Sequence, residues 1–137
     1  MGQQQLLLVI LVTIIVGIAT VVAINTFSSA SDQANQDAAR NDLTQVASAA
    51  HSYYMKPEML GGGGNAFTGI TFNDITFPAD TVYNSSLTAE NANGTYVISG
   101  VTADEFTVTA TLNNDGTIAA TVVPNSIQIG DYSAPAE

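Results

Sequence analysis

The most constraining feature of this sequence is the run from Leu6 to Ile24, LLLVILVTIIVGIATVVAI, interrupted only by Thr13, Gly17 and Thr20. At about 1.5 Å per residue, a helix of this length spans roughly 28 Å, close to the thickness of a bilayer core. A helix on the surface of a soluble domain keeps a polar stripe, whereas this one is apolar all round. Burying each Leu, Ile or Val is worth about 1.5–3 kcal/mol, so the segment belongs in lipid or against copies of itself. Three arrangements satisfy that demand. A cleaved secretory signal would use Ser28-Ser29-Ala30 as its small-residue site, but the basic n-region is missing and the run is long for an h-region. A permanent single-pass anchor would lack the flanking Lys or Arg that set orientation. The third is a helix that starts in the membrane and ends in the core of a polymer.

The charge distribution narrows the partners. The 137 residues carry twelve acids against two bases, for a net charge of −10, and charged residues make up only 10% of the chain. Residues 1–31 have no ionisable side chain, and no Lys or Arg follows Lys56. A polyanion gains nothing from counterion release, so nucleic acid is not a partner. Docking on anionic headgroups through a basic patch is excluded for the same reason. With no Cys there is no disulfide framework, thiolate nucleophile or Cys-type zinc site. A single histidine, His51, leaves no His₂ or His₃ metal centre. No catalytic residue, metal ligand or cofactor is assigned.

Residues 28–55, SSASDQANQDAARNDLTQVASAAHSYYM, contain no Gly or Pro and are rich in Ala, which favours continued helix. Ala30, Ala34 and Ala38 recur at spacings of four. A second stripe runs through Ala39, Leu43, Val46, Ala47, Ala50 and Tyr54. Pro57 ends the pattern. One helix is expected from about residue 3 to 55, its apolar half covered by something other than the short remainder of the chain. The expected organisation is a hydrophobic half-helix over 1–27, an amphipathic half over 28–56, and a loop with a small β head over 57–137.

The head begins with MLGGGGN, residues 59–65, whose four glycines suggest a flexible connection. A phosphate-cradling loop would need a following helix and a Lys. Alternation then takes over. Tyr96–Ile98, Asp104–Leu112, Thr117–Val123 and Ile127–Ile129 read as strands. Asn113-Asn114-Asp115-Gly116 is a turn, and Phe67–Phe77 reads as a looser strand pair around Asn73-Asp74. The fold class is therefore α+β: a long helix packed on an antiparallel sheet of three to four strands through Val46, Ala50 and Tyr53 or Tyr54.

This order of elements resembles a type IV pilin or pilin-like filament subunit, over the whole chain and by architecture more than by motif. The resemblance implies membrane insertion before assembly, an inner-membrane assembly machine, a prepilin peptidase and a homopolymer at the cell surface. It points to the polymerising residues as Leu6, Leu7, Leu8, Val9, Ile10, Leu11, Val12, Ile14, Ile15, Val16, Gly17, Ile18, Ala19, Val21, Val22 and Ile24. Gly17 and Ala19 are candidates for close helix crossings. Processing would leave Met1 as an N-methylated first residue, or cut after Gly2 to leave Gln3. The family's Glu at the fifth mature position is absent: Gln5 or Leu7 stands there, and an amide accepts a hydrogen bond without forming the charge-assisted pair. Related bacterial filaments have an unwound stretch in this helix, which would fall near residues 14–22. A minor pseudopilin of a secretion system fits the same resemblance, and a membrane-anchored β binding module fits the residues without it.

Weaker signals have simpler readings. Asn84-Ser85-Ser86 and Asn93-Gly94-Thr95 match the N-glycosylation pattern, which also arises by chance in a chain rich in Asn, Ser and Thr. Asn113-Asn114-Asp115 could offer oxygens to Ca²⁺, but a hairpin turn accounts for them. Asp104 and Glu105 are neighbours that point to opposite faces of a strand. His51 reads as a packed or solvated side chain.

Overall fold

The computed structural model describes residues 2–135. The chain is α+β: among the described residues it forms helix α1 (Gly2–Met55), a single 3₁₀ turn (Glu58–Leu60) and six strands. These are β1 (Thr81–Tyr83), β2 (Thr88–Asn91), β3 (Gly94–Ser99), β4 (Phe106–Leu112), β5 (Thr117–Val123) and β6 (Ser126–Ile129). Two compact units divide it, one ending at Ala34 and one beginning at Asn35.

In the first unit α1 is unbroken, so the loosening expected near residues 14–22 is not present. A lone Gly17 costs a helix only about 1 kcal/mol, and no Pro removes a rung of the ladder. Every residue from Gly2 to Ala34 is exposed.

The second unit is built around one core. Its sheet is an antiparallel meander in the order β1-β2-β3-β4-β5-β6, larger than the three or four strands expected. The strands that the sequence hides are β1 (TVY) and β2 (TAEN). They are short, and β2 carries Glu90 and Asn91, so neither shows the period-2 apolar signal. The central strands do show it. Phe106, Val108, Ala110 and Leu112 of β4 are buried while the threonines between them are half-buried, and β5 buries Ile118, Ala120 and Val122.

The inner face shares its core with Ala39, Leu43, Val46, Ala47, Ala50 and Tyr53 of α1. Tyr53 is buried and donates to Thr68 O at 3.1 Å; Tyr54 is half-buried against Phe67, ring centres 4.9 Å apart. His51 Nε2 lies 2.8 Å from Val123 O, a structural contact tying α1 to the end of β5. Residues 67–77 are not a strand pair. They form turns that sink Phe67, Ile70, Phe72 and Ile75 into the core, and Asp74 Oδ2 accepts from Thr71 N at 3.1 Å and Thr71 Oγ1 at 2.7 Å. Aromatic and β-branched residues suggest strands here, but Gly69 (φ 79°) and the Asp74 turn stop the backbone from extending.

The four-glycine segment is an ordered cap, not a flexible link. The last carbonyls of α1 lack intrahelical donors. Gly63 N donates to Tyr53 O at 2.8 Å, Asn65 N to Tyr54 O at 2.8 Å and Gly64 N to Lys56 O at 2.9 Å. The chain must therefore fold back tightly on the helix end. A Cβ on Gly63 would lie 1.9 Å from Ala66 O and 2.8 Å from Tyr53 Cε1. Gly61 adopts φ 83° in open space. Gly63→Ala should thus lower stability by more than about 2 kcal/mol, whereas Gly61→Ala should cost only about 1–2 kcal/mol from the left-handed backbone. Urea unfolding of the detergent-solubilised chain, followed by circular dichroism, checks that order.

Candidate assembly helix and buried carboxylate

The stretch from Leu6 to Ile24 leaves all its large side chains in the open, from 49% exposed at Ile10 to 66% at Leu7. No side of this helical segment is covered. Its only polar side chains are neutralised locally: Thr13 Oγ1 donates to Val9 O and Thr20 Oγ1 to Val16 O, each at 2.7 Å. A hydroxyl bonded to the carbonyl one turn back offers lipid or a packed neighbour no unpaired donor. Thr13, Gly17 and Thr20 fall at spacings of four and three, so the small residues share one face. An added Cβ at Gly17 meets nothing within 4 Å, which leaves its backbone open to a second helix. Ala19 is exposed on the same segment. The segment is long and apolar enough to cross a membrane. Gly2, Gln3 and Gln5 are exposed in the first turns of α1; Met1 lies outside the described residues.

The second unit contains a site that the sequence reading passed over. Asp42 is 5% exposed and lies on the core-facing side of α1. Its Oδ2 accepts from Tyr96 OH at 2.6 Å, Asn93 Nδ2 at 2.8 Å and Asn91 Nδ2 at 3.1 Å. Asn91 in turn holds the β2–β3 turn, its Oδ1 accepting from Asn93 N at 2.9 Å and Gly94 N at 3.3 Å. A buried carboxylate is costly unless it is hydrogen-bonded. Here one phenol and two amides satisfy it, all neutral. The signal was present: Asp42 sits three residues after Ala39 and four before Val46, on the apolar stripe. An acid on that face demands partners from across the core. Nothing in the sequence named which ones.

Burial, then the hydrogen bond to Asp42 and its negative charge, push the Tyr96 hydroxyl far above its ordinary pKa of 10.0. Tyr53 is also raised, first by burial and then by the nearby carboxylates of Asp74 and Glu58.

The two sequon asparagines differ. Asn93 is half-buried and its amide nitrogen is committed to Asp42. Asn84 is exposed at the end of β1, and its Nδ2 has one distant contact, 3.4 Å from Thr88 Oγ1. The residues considered for Ca²⁺ have structural contacts: Asn114 Oδ1 accepts from Gly116 N at 3.1 Å within the β4–β5 turn, and Asn113 Nδ2 donates to Ala92 O of the β2–β3 turn at 3.0 Å. Asp104 and Glu105 are exposed residues before β4, tied through their backbone N–H groups to Thr102 Oγ1. No family model, curated protein or solved structure matches this chain.

Two outcomes follow from the Asp42 cluster. Asp42→Ala leaves the buried Tyr96 hydroxyl and the half-buried Asn91 and Asn93 amides without this acceptor and should cost about 2–4 kcal/mol, whereas Asp42→Asn keeps one acceptor oxygen and should cost less. Denaturant midpoints of the two variants test this ranking. For Tyr96, the folded chain holds the phenolic proton above pH 10 while the unfolded chain releases it. The stability that Tyr96 contributes is therefore fully present below pH 10 and is lost as pH rises beyond it. The part of the tyrosine absorbance near 295 nm that Tyr96→Phe removes should appear together with loss of the sheet signal.

Proposed function

We propose that this chain is the structural subunit of an extracellular helical filament of the type IV pilus kind. The apolar half of α1 would pack against the same segment of other copies, and the β heads would form the outer surface. The reading is carried by one observation: from Leu6 to Ile24 every large side chain is uncovered, and both hydroxyls are tied to their own backbone. Such a surface is stable only in lipid or against another apolar helix. A bilayer would hold it before assembly, as its length allows. Between apolar helices in lipid the hydrophobic effect no longer discriminates, so association depends on close packing, favoured by small residues. Gly17, flanked by Thr13 and Thr20 on one face, supplies such a place. The acidic head, with no Lys or Arg after Lys56, keeps neighbouring filaments apart by charge repulsion. Nothing in this scheme requires a catalytic group or a cofactor.

Material sheared from producing cells should contain thin uniform fibres by negative-stain electron microscopy. Mass spectrometry of the pellet should find chiefly this chain and give the mass of its N-terminal peptide. Gly17→Leu should still enter the membrane but reduce fibre yield about tenfold or more, because a lost close crossing costs upward of 1.4 kcal/mol per contact. A chain that stays in the membrane fraction and runs as a detergent-solubilised monomer would overturn the filament reading in favour of an anchored module.

A further inference from the structure

The chain carries two N-x-[ST] triplets, and the structure treats them oppositely. Asn93 is drawn into the unit: its Nδ2 donates to the Asp42 carboxylate at 2.8 Å and its backbone N–H is held by Asn91. Freeing that nitrogen means breaking a hydrogen bond to a buried charge. Asn84 lies in the connection between β1 and β2, exposed, and among the described residues its nitrogen has only the long contact to Thr88.

The Asn84 triplet has a second peculiarity. Asn84, Ser85 and Ser86 have φ of 53°, 59° and 66°, three consecutive non-glycine residues in the left-handed region. The left-handed region is tolerated by Asn84 but unfavourable for Ser85 and Ser86, so opening the turn releases strain. Few bonds hold it closed: Leu87 N to Asn84 O at 3.2 Å, Phe72 N to Ser86 O at 2.8 Å, and the Asn73 amide to Ser86 Oγ. The adjoining β1 has three residues, all exposed, on an edge of the sheet. This is the kind of segment that opens locally without unfolding the core.

We propose that Asn84 is an N-glycan acceptor and that Asn93, though it carries the same motif, is not. The donor is a lipid-linked oligosaccharide. Asn84 Nδ2 attacks the anomeric carbon, a C–N bond forms, the bond from that carbon to the pyrophosphate oxygen breaks, and the lipid pyrophosphate leaves. The amide proton passes to a base of the transferase. No electrons are exchanged with any other reagent. In the cell this rests on the extracellular location in the proposed function. A glycan at Asn84 also has a physical consequence. It stands at the end of β1, an edge strand paired with β2 on one side only among the described residues, where bulk blocks sheet-to-sheet pairing between heads.

The test uses the purified full-length chain in detergent, with an N-x-S/T-specific single-subunit oligosaccharyltransferase and a lipid-linked oligosaccharide. It needs neither export nor fibre formation, so its failure is distinct from failure of the filament reading. Peptides of residues 80–88 and 89–97 serve as unfolded acceptors in parallel. Peptide mapping of the folded chain should place the glycan at Asn84, with a rate at least about tenfold above that at Asn93, relative to the two peptides. Asn84→Gln should abolish the mass increase. Modification at Asn93 at a comparable or greater relative rate, or none at Asn84, overturns the proposal.

Discussion

A six-stranded meander with one apolar face cannot stand alone in water, and the second unit depends on how that face is covered. The cover comes from residues 39–53 of α1 and from the turns of residues 67–77. Small residues make the fit possible. Ala39, Ala47 and Ala50 on the helix share the core with Ala89, Ala110 and Ala120 on the strands, and the larger Phe67, Phe106 and Tyr96 fill the remaining space. Aromatic rings meet tilted or edge-on, Phe67 with Phe106 at 5.1 Å and Phe77 with Tyr96 at 5.1 Å, the arrangements that ring quadrupoles favour.

Asp42 gives this packing a unique register. Apolar side chains slide past one another at small cost, but a buried carboxylate must meet its three donors or pay for their absence. Because those donors sit on β2, the β2–β3 turn and β3, the contact selects one rotation and one height of the helix against the sheet. The His51 contact with Val123 O repeats the constraint at β5. The glycine cap supplies the third, turning the chain back at the helix end so that residues 67–77 reach the core.

The first unit obeys the opposite rule. Its described residues, Gly2 to Ala34, are all exposed, and the two hydroxyls inside the apolar run, those of Thr13 and Thr20, are bonded within the helix, so intramolecular packing does nothing to cover it. The proposed filament joins the two rules: one part of the molecule is finished by intramolecular packing, the other only by its surroundings.

The long helix, its end before Pro57, the strands β3 to β6 and the Asn113–Gly116 turn were legible because each is declared by neighbouring residues: a period of 3.6 or 2, a breaker, a turn tetrapeptide. So was the uncovered character of residues 6–24, since nineteen apolar-dominated positions leave no stripe for water. What only the tertiary structure decided has no such local mark. β2 exists because β3 offers it a ladder, and β1 because β2 does, not because TVY or TAEN prefers to extend. Phe67 to Phe77 look extended by composition yet turn, because Gly69 and the Asp74 turn bend the backbone while Phe67, Ile70, Phe72 and Ile75 sink into the core. Four glycines suggest freedom until helix carbonyls that need donors pull them into a cap. Asp42 and Asn93 look like solvated polar residues until the fold places them 2.8 Å apart, fifty-one residues distant in the chain. Local residues determine what backbone each segment prefers; long-range pairing of buried polar groups decides which preference survives.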